Sequence, residues 1–237
     1  MDLEGPVEAR LAELAARYAL AARQRRQLRS LLVILAQDGR APTAVRDPQA
    51  AIDVHLADSL VALELDAVRA AVTIADLGAG AGFPGLALAV AIEGSEVRLV
   101  ESNNRKCTYL AATAVEAGIE RALAVCERAE EWSEGACAHD LVVARALAPQ
   151  SVVLEYAAPL LRLGGTLVDW RGRRAPEEES SSRRAAALLG LVPLGIERVQ
   201  PFPGARDRHL HLFSKQLETP ERFPRRAGAA RKRPLGD

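Results

Sequence analysis

The stretch IADLGAGAGFPGLALAVA, residues 74–91, decides the fold. An apolar run ends in Asp76. Gly78, Gly80, Gly82 and Gly85 follow within eight residues, and an apolar helix-like run comes next. A strand, a flexible acid-led loop and a helix in that order make the opening unit of a doubly wound sheet. Small residues in such a loop let a ligand lie against bare backbone. Pro84 suits the first turn of the following helix.

Outward from this loop, short apolar runs alternate with helical stretches. Strands are expected at 72–77, 96–100, 122–126, 140–144 and 165–170, with helices at 84–92, 103–117, 149–162 and 176–189. This alternation predicts an α/β fold, a mostly parallel sheet with helices on both faces. Runs at 192–200 and 208–214 lie close enough to form an edge hairpin, which brings the expected sheet to seven strands. Upstream, Leu11, Leu14, Tyr18, Leu28, Leu31, Leu32 and Leu35 fall mostly at helical spacings, which predicts one long helix over 7–36. A shorter helix is expected at 48–63. The expected organisation is a helical region at 1–66, a core at 67–217 and a basic tail at 218–237.

Composition narrows the function classes. With 49% hydrophobic residues the 237-residue chain can bury a large core, yet no apolar run approaches the ~20 residues of a membrane span. An amino terminus without signal-peptide layout, and three cysteines without CxxC spacing, lead us to expect a reducing cytoplasm. Four histidines without metal-ligand spacing predict no metal site. The zero net charge hides a segment, residues 221–237, with six basic residues against two acids. Phosphate neutralisation is one reading of that segment, and a solvated tail is the other.

The loop has two spellings. Residues 80–85 satisfy G-x-G-x-x-G, the dinucleotide fingerprint, and residues 76–82 satisfy D-x-G-x-G-x-G, the first motif of class I S-adenosylmethionine (SAM) methyltransferases. Glu101 ends the next strand, where either ligand would offer it a ribose diol. Asp76 favours SAM, because an acid repels a pyrophosphate and attracts a sulfonium and an ammonium.

Further segments carry a family resemblance. HLADSL (55–60), DLGAGAGFPG (76–85), ESNNRKCTYL (101–110), RAEEW (128–132), ARALA (144–148), GGTLVDWRG (164–172) and ERFPRRAGAARKRPL (221–235) occur in the order found in one family. From about His55 to Leu235 the chain resembles the small-subunit ribosomal RNA methyltransferase G family, also called glucose-inhibited division protein B. The resemblance implies a class I SAM-dependent methyltransferase fold with an N-terminal helical extension. It also implies SAM as cofactor, and N7-methylation of a guanine in 16S rRNA, free or in the small ribosomal subunit. It places Gly78, Gly80 and Phe83 along the cofactor pocket, Glu101 at the ribose, Ala129 and Glu130 beside the adenine, and Arg145 at the mouth. The chain departs from the family at LAQDGRAPTAVRD (35–47), and Arg171 stands where a lysine is usual.

Blander readings stand beside these. Arg145 could form a surface ion pair with Glu127 or Glu130. Glu130 could be a solvated helix-start acid, and His55 a packing or capping histidine. RQRRQLR (23–29) reads as a solvated helix face. Guanine N7 has a free lone pair, so no catalytic acid or base is expected, and a monomer is expected. Two other functions fit the loop: a SAM-dependent methyltransferase of a small molecule or protein, and an NAD-binding oxidoreductase or non-catalytic nucleotide-binding module.

Overall fold

The computed structural model describes residues 3–236. Two helices open the chain, α1 (Gly5–Arg17) and α2 (Ala22–Gln37). Both lean on one core through Leu11 and Leu14 from α1 and Leu28, Leu31 and Leu35 from α2. The single helix expected over 7–36 is therefore two. The break falls at residues 18–21, where Ala19 takes a left-handed φ of 52° and Gln24 caps the second helix by accepting the Ala21 N–H at 2.7 Å. No glycine or proline announces the turn. It lets two apolar stripes face the same core, which one straight rod could not do.

Asp47 caps the next helical run by accepting the Ala50 N–H at 3.0 Å. The run passes from α3 (Pro48–Ala51) through wide i→i+5 turns at Ile52–Ala57 into α4 (Asp58–Leu60), and tightens over Val61–Glu64. A short α5 (Asp66–Arg69) leads into the sheet. The wide turns bury His55, Leu56 and Ala57 together; such widened turns concentrate at functional sites.

The sheet and its helices follow: β1 (Thr73–Leu77), α6 (Gly85–Ala91), β2 (Glu96–Val100), α7 (Asn104–Glu116), β3 (Ala122–Val125) and β4 (His139–Arg145). Then come α8 (Gln150–Ala157), β5 (Leu161–Arg171), α9 (Pro176–Leu188), β6 (Leu191–Arg198), β7 (His209–Lys215) and α10 (Ala229–Lys232). The strand order is β3-β2-β1-β4-β5-β7-β6, with β7 antiparallel to both its neighbours and the rest parallel. Every expected strand is present. Helix α8 stops at Ala157 instead of 162, because Pro159 cannot continue a helix, and β5 starts earlier to match.

Two cores flank the sheet. On one face α1, α2 and the 48–64 run pack with α6 and α7, through Leu28, Leu86 and Leu110 among others. On the other, α8 and α9 enclose Val152, Leu154 and Ala185, together with Phe223 and Ala230 from the carboxyl-terminal segment. That segment, read from the sequence as a basic tail, is built into the fold. Arg225 forks onto the fully buried Glu155 of α8, donating from Nε to Oε1 at 2.9 Å and from Nη2 to Oε2 at 2.5 Å.

Candidate active site

Strand register brings the chemistry to one edge. Leu77 pairs with both Val100 and Ala144, so Gly78, Glu101 and Arg145 all stand at the carboxyl ends of neighbouring strands. Ligands bind at this edge in open α/β sheets. The loop after β1 is pinned there, its Gly78 and Ala79 N–H groups donating to the Val100 carbonyl at 2.8 and 3.2 Å.

Part of the glycine content serves packing rather than a ligand. A Cβ at Gly85 would lie 2.4 Å from Leu99 Cδ2 and 2.6 Å from Asp76 Oδ2, so α6 can approach β1 only without one. Gly80 is different: a Cβ there meets only the Gly78 carbonyl oxygen, at 3.6 Å.

Asp76 corrects the reading that gave it a ligand's charge to attract. It is 1% exposed, and its Oδ2 accepts the Gly85 N–H at 2.8 Å. Burial raises its carboxyl to about 7. Asp76 ties the end of β1 to the start of α6, so its charge does not discriminate SAM from a dinucleotide.

Glu101 does face open space. A cavity of about 290 Å³ is lined by Gly78, Glu101, Lys106, Ala129, Glu130 and Arg231 with their neighbours. One Glu101 oxygen accepts the Asn103 N–H at 3.0 Å; the other accepts the Gly80 N–H at 3.3 Å and lies 3.7 Å from Lys106 Nζ. A carboxylate has about four lone-pair sites, so Glu101 retains acceptor capacity toward the cavity. The hydroxyl donors of a ribose diol fit that acceptor.

Glu130 is not a solvated acid. Its side chain is 5% exposed, and Oε1 accepts the Gly228 N–H at 3.1 Å. The carboxyl-terminal segment thus forms one wall of the cavity, where Arg231 also donates to the Leu147 carbonyl at 3.1 Å. Sequence reasoning missed this wall, because nothing local to residues 228–231 points to Glu130.

Gly78, Glu101, Ala129 and Glu130 are brought together, and Gly80 joins them through its N–H. Phe83 and Arg145 stand apart from that lining. Phe83 is buried and stacks on His55, with ring centroids 4.9 Å apart. Arg145 pairs with neither Glu127 nor Glu130. Its Nη1 donates to Asp58 Oδ2 at 2.8 Å and to the Val54 carbonyl at 3.1 Å, while Nη2 lies 3.4 Å from His55 Nδ1. The other His55 nitrogen, Nε2, is 3.1 Å from the Val45 carbonyl. Nε2 therefore carries the proton, and Nδ1 accepts from Arg145. Burial, reinforced by the Arg145 charge, lowers His55 to about 4, so the ring is neutral near pH 7.

Arg145 lines a second cavity, of about 380 Å³, with His55, Asp58, Trp170, Arg173 and Arg208. Register again explains the grouping, since Arg145 pairs with Trp170 across β4 and β5. Ala146, at φ 53°, lines both cavities. Among the described residues no group of three or more His, Cys, Asp or Glu could hold a metal ion.

Comparison with known proteins bears on this geometry. The family model for rRNA small subunit methyltransferase G matches residues 24–210. A ribosomal RNA small subunit methyltransferase G of Chloroflexus aggregans is 38% identical over 200 residues, covering 81% of this chain and 82% of its own. That of Synechococcus elongatus is 34% identical over 203 residues, covering 82% of each. Among solved structures, a SAM-dependent O-methyltransferase of Thermotoga maritima superposes with a TM-score of 0.55 at 17% identity, covering 69% of this chain and 66% of its own. Aeropyrum pernix fibrillarin with natively bound S-adenosyl-L-methionine gives 0.52 at 17% identity, covering 66% of this chain and 72% of its own. These two likenesses establish the class I methyltransferase fold alone. The sequence matches go further, spanning both the Glu101 cavity and the arginine-lined cavity beside it, and they establish that the chain belongs to the rRNA small subunit methyltransferase G family.

Proposed function

We propose that this protein methylates N7 of one guanine in 16S rRNA, using SAM held in the Glu101 cavity, in the cytoplasm where its RNA substrate resides. The observation that carries the reading is Glu101: a carboxylate with spare acceptor capacity, anchored by the Gly80 N–H, at the switch point of the sheet. Glu101 accepts the ribose hydroxyls, Gly78 and Gly80 admit the ligand to the backbone, and Ala129 and Glu130 border the adenine.

SAM, when bound, supplies an activated methyl group. Guanine N7 needs no deprotonation, so the site needs no general base. Asp76 accepts the Gly85 N–H, and both nitrogens of His55 are engaged. The chain's contribution is proximity and alignment of two bound partners, an effect able to supply about 7–11 kcal/mol. Phe83, His55 and Arg145 form one contact chain from the glycine loop to the second cavity, and so fix the relative position of the two sites.

Incubation with labelled SAM and 16S rRNA or small subunits lacking the modification tests the reading. After nuclease digestion, the label is expected on N7 of a single guanine. Label on an adenine, a ribose or a protein overturns it.

A further inference from the structure

The second cavity contains an acceptor that the fold leaves without a hydrogen bond. Asp58 is 6% exposed. Its Oδ2 is held by Arg145, but Oδ1 is buried without a hydrogen-bond donor. Arg208 Nε forms an ion pair with Oδ1 at 3.3 Å, without the geometry of a hydrogen bond. Asp58 borders a cavity wide enough for a nucleotide.

The chemistry of this oxygen selects a ligand. It is an acceptor, so it requires a donor, and a phosphate oxygen offers none. Guanine alone among the four RNA bases presents adjacent N1–H and N2–H donors on one edge, and a carboxylate accepting such donors makes strong charge-assisted bonds. N7 lies on the opposite edge of the base. With its N1–H edge on Asp58, the base leaves N7 free to face Ala146, the residue shared with the Glu101 cavity. The Trp170 ring lines the same cavity, locked by its N–H donating to the Asp58 carbonyl at 2.8 Å, and offers an aromatic face of the kind unstacked RNA bases use.

We propose that this cavity is the target-base subsite, and that Asp58 is the residue that specifies guanine, its Oδ1 accepting from the guanine N1–H edge. The proposal rests on the rRNA methyltransferase reading above. Arg208 is 39% exposed in its side chain and uncovers Oδ1 by turning outward. Arg173 is exposed and has no hydrogen-bond or ion-pair partner among the described residues. Arg173, joined by Arg208 once it has turned away from Asp58, meets the phosphates of the same nucleotide.

The test uses the full chain loaded with S-adenosylhomocysteine. Its ligand is an RNA fragment carrying the guanine identified by the labelling experiment, kept as guanine or replaced by adenine or by 1-methylguanosine. Wild type is expected to bind either replacement about tenfold or more weakly than guanine. Asp58→Asn, whose amide can donate to adenine N1, is expected to bring the guanine-to-adenine ratio toward one. Its S-adenosylhomocysteine affinity should stay unchanged. If Asp58 only held Arg145, the substitution would weaken all fragments alike and leave the ratio in place. A wild type indifferent to 1-methylguanosine, or an Asp58→Asn protein with the wild-type ratio, overturns the proposal. The 1-methylguanosine arm needs no variant and stands even if Asp58→Asn fails to fold. Failure of the labelling experiment removes the methyltransferase reading itself; a guanine labelled at N7 with flat base discrimination removes only the role of Asp58.

Discussion

Glu101 and Asp76 end adjacent strands as carboxylates of similar sequence setting, yet they do different work. Glu101 lines open space, and Glu101→Ala is expected to weaken SAM binding by about 1.5–3 kcal/mol, measured by calorimetry; an unchanged affinity would show that the carboxylate meets no ribose. Gly78 sits at φ 70°, and a Cβ there would come within 2.5 Å of Leu147 Cδ1. Gly78→Val is therefore expected to abolish SAM binding while circular dichroism still reports a folded protein. A variant that binds as well as wild type would show that the loop tolerates what its backbone argues against. The sequence made the loop and Glu101 legible, because the spacing of the glycines and the strand-ending acid is local. The inward turn of Asp76 was hidden, since a motif does not record which way a carboxylate points. The partner of Arg145 was hidden for another reason: Asp58 lies 87 positions upstream, brought near only by the wide turns before α4.

Among the elements, the strands and the helices of the core were readable from alternation, and the turn at residues 18–21 was not, because an alanine carries it. The carboxyl-terminal segment shows the limit most plainly. Its basic residues read as one charged tail, but they divide by what they touch. Arg225 is consumed by Glu155, 70 positions away. Glu155→Ala leaves that guanidinium uncompensated, and is expected to cost about 3–5 kcal/mol in denaturant unfolding. An unchanged midpoint would show that the segment is not docked in solution. Arg226, Lys232 and Arg233 are exposed and form no ion pair among the described residues. Replacing all three with glutamine is expected to leave the unfolding midpoint in place. The same change should make the salt dependence of RNA binding shallower, by about 0.7–0.9 in slope for each phosphate no longer neutralised. An unaltered slope would return these residues to the solvent. Deleting residues 221–237 is the poorer experiment, since it also strips Phe223 from a core and strands Glu155.

At the scale of the whole molecule, buried histidines and buried aspartates set opposing responses to pH. Burial lowers His55 and His211 to about 4. Their stabilising neutral forms are fully present above about 6.5 and are lost as the pH falls toward 4. Burial raises Asp76 and Asp169 to about 7. Their protonated forms favour the fold at low pH, and that advantage is lost as the pH climbs through 7. The two trends oppose each other between about pH 4 and 6.5. Asp169→Asn removes one falling contribution. Urea unfolding at two pH values, on either side of about 6, should show wild type losing ground to Asp169→Asn as pH rises. A constant difference would mean that Asp169 does not titrate in this range. None of this balance was legible beforehand, because it depends on which acids the two cores enclose.

The cavity wall contributed by residues 228–231 is synthesised after all seven strands. Glu155 must wait, unpaired, for Arg225 to arrive. During translation the sheet can form while the Glu101 cavity is still open on one side. The pocket wall is thus the last part of the fold to close, and it closes only when Arg225 reaches Glu155 and the Gly228 N–H reaches Glu130.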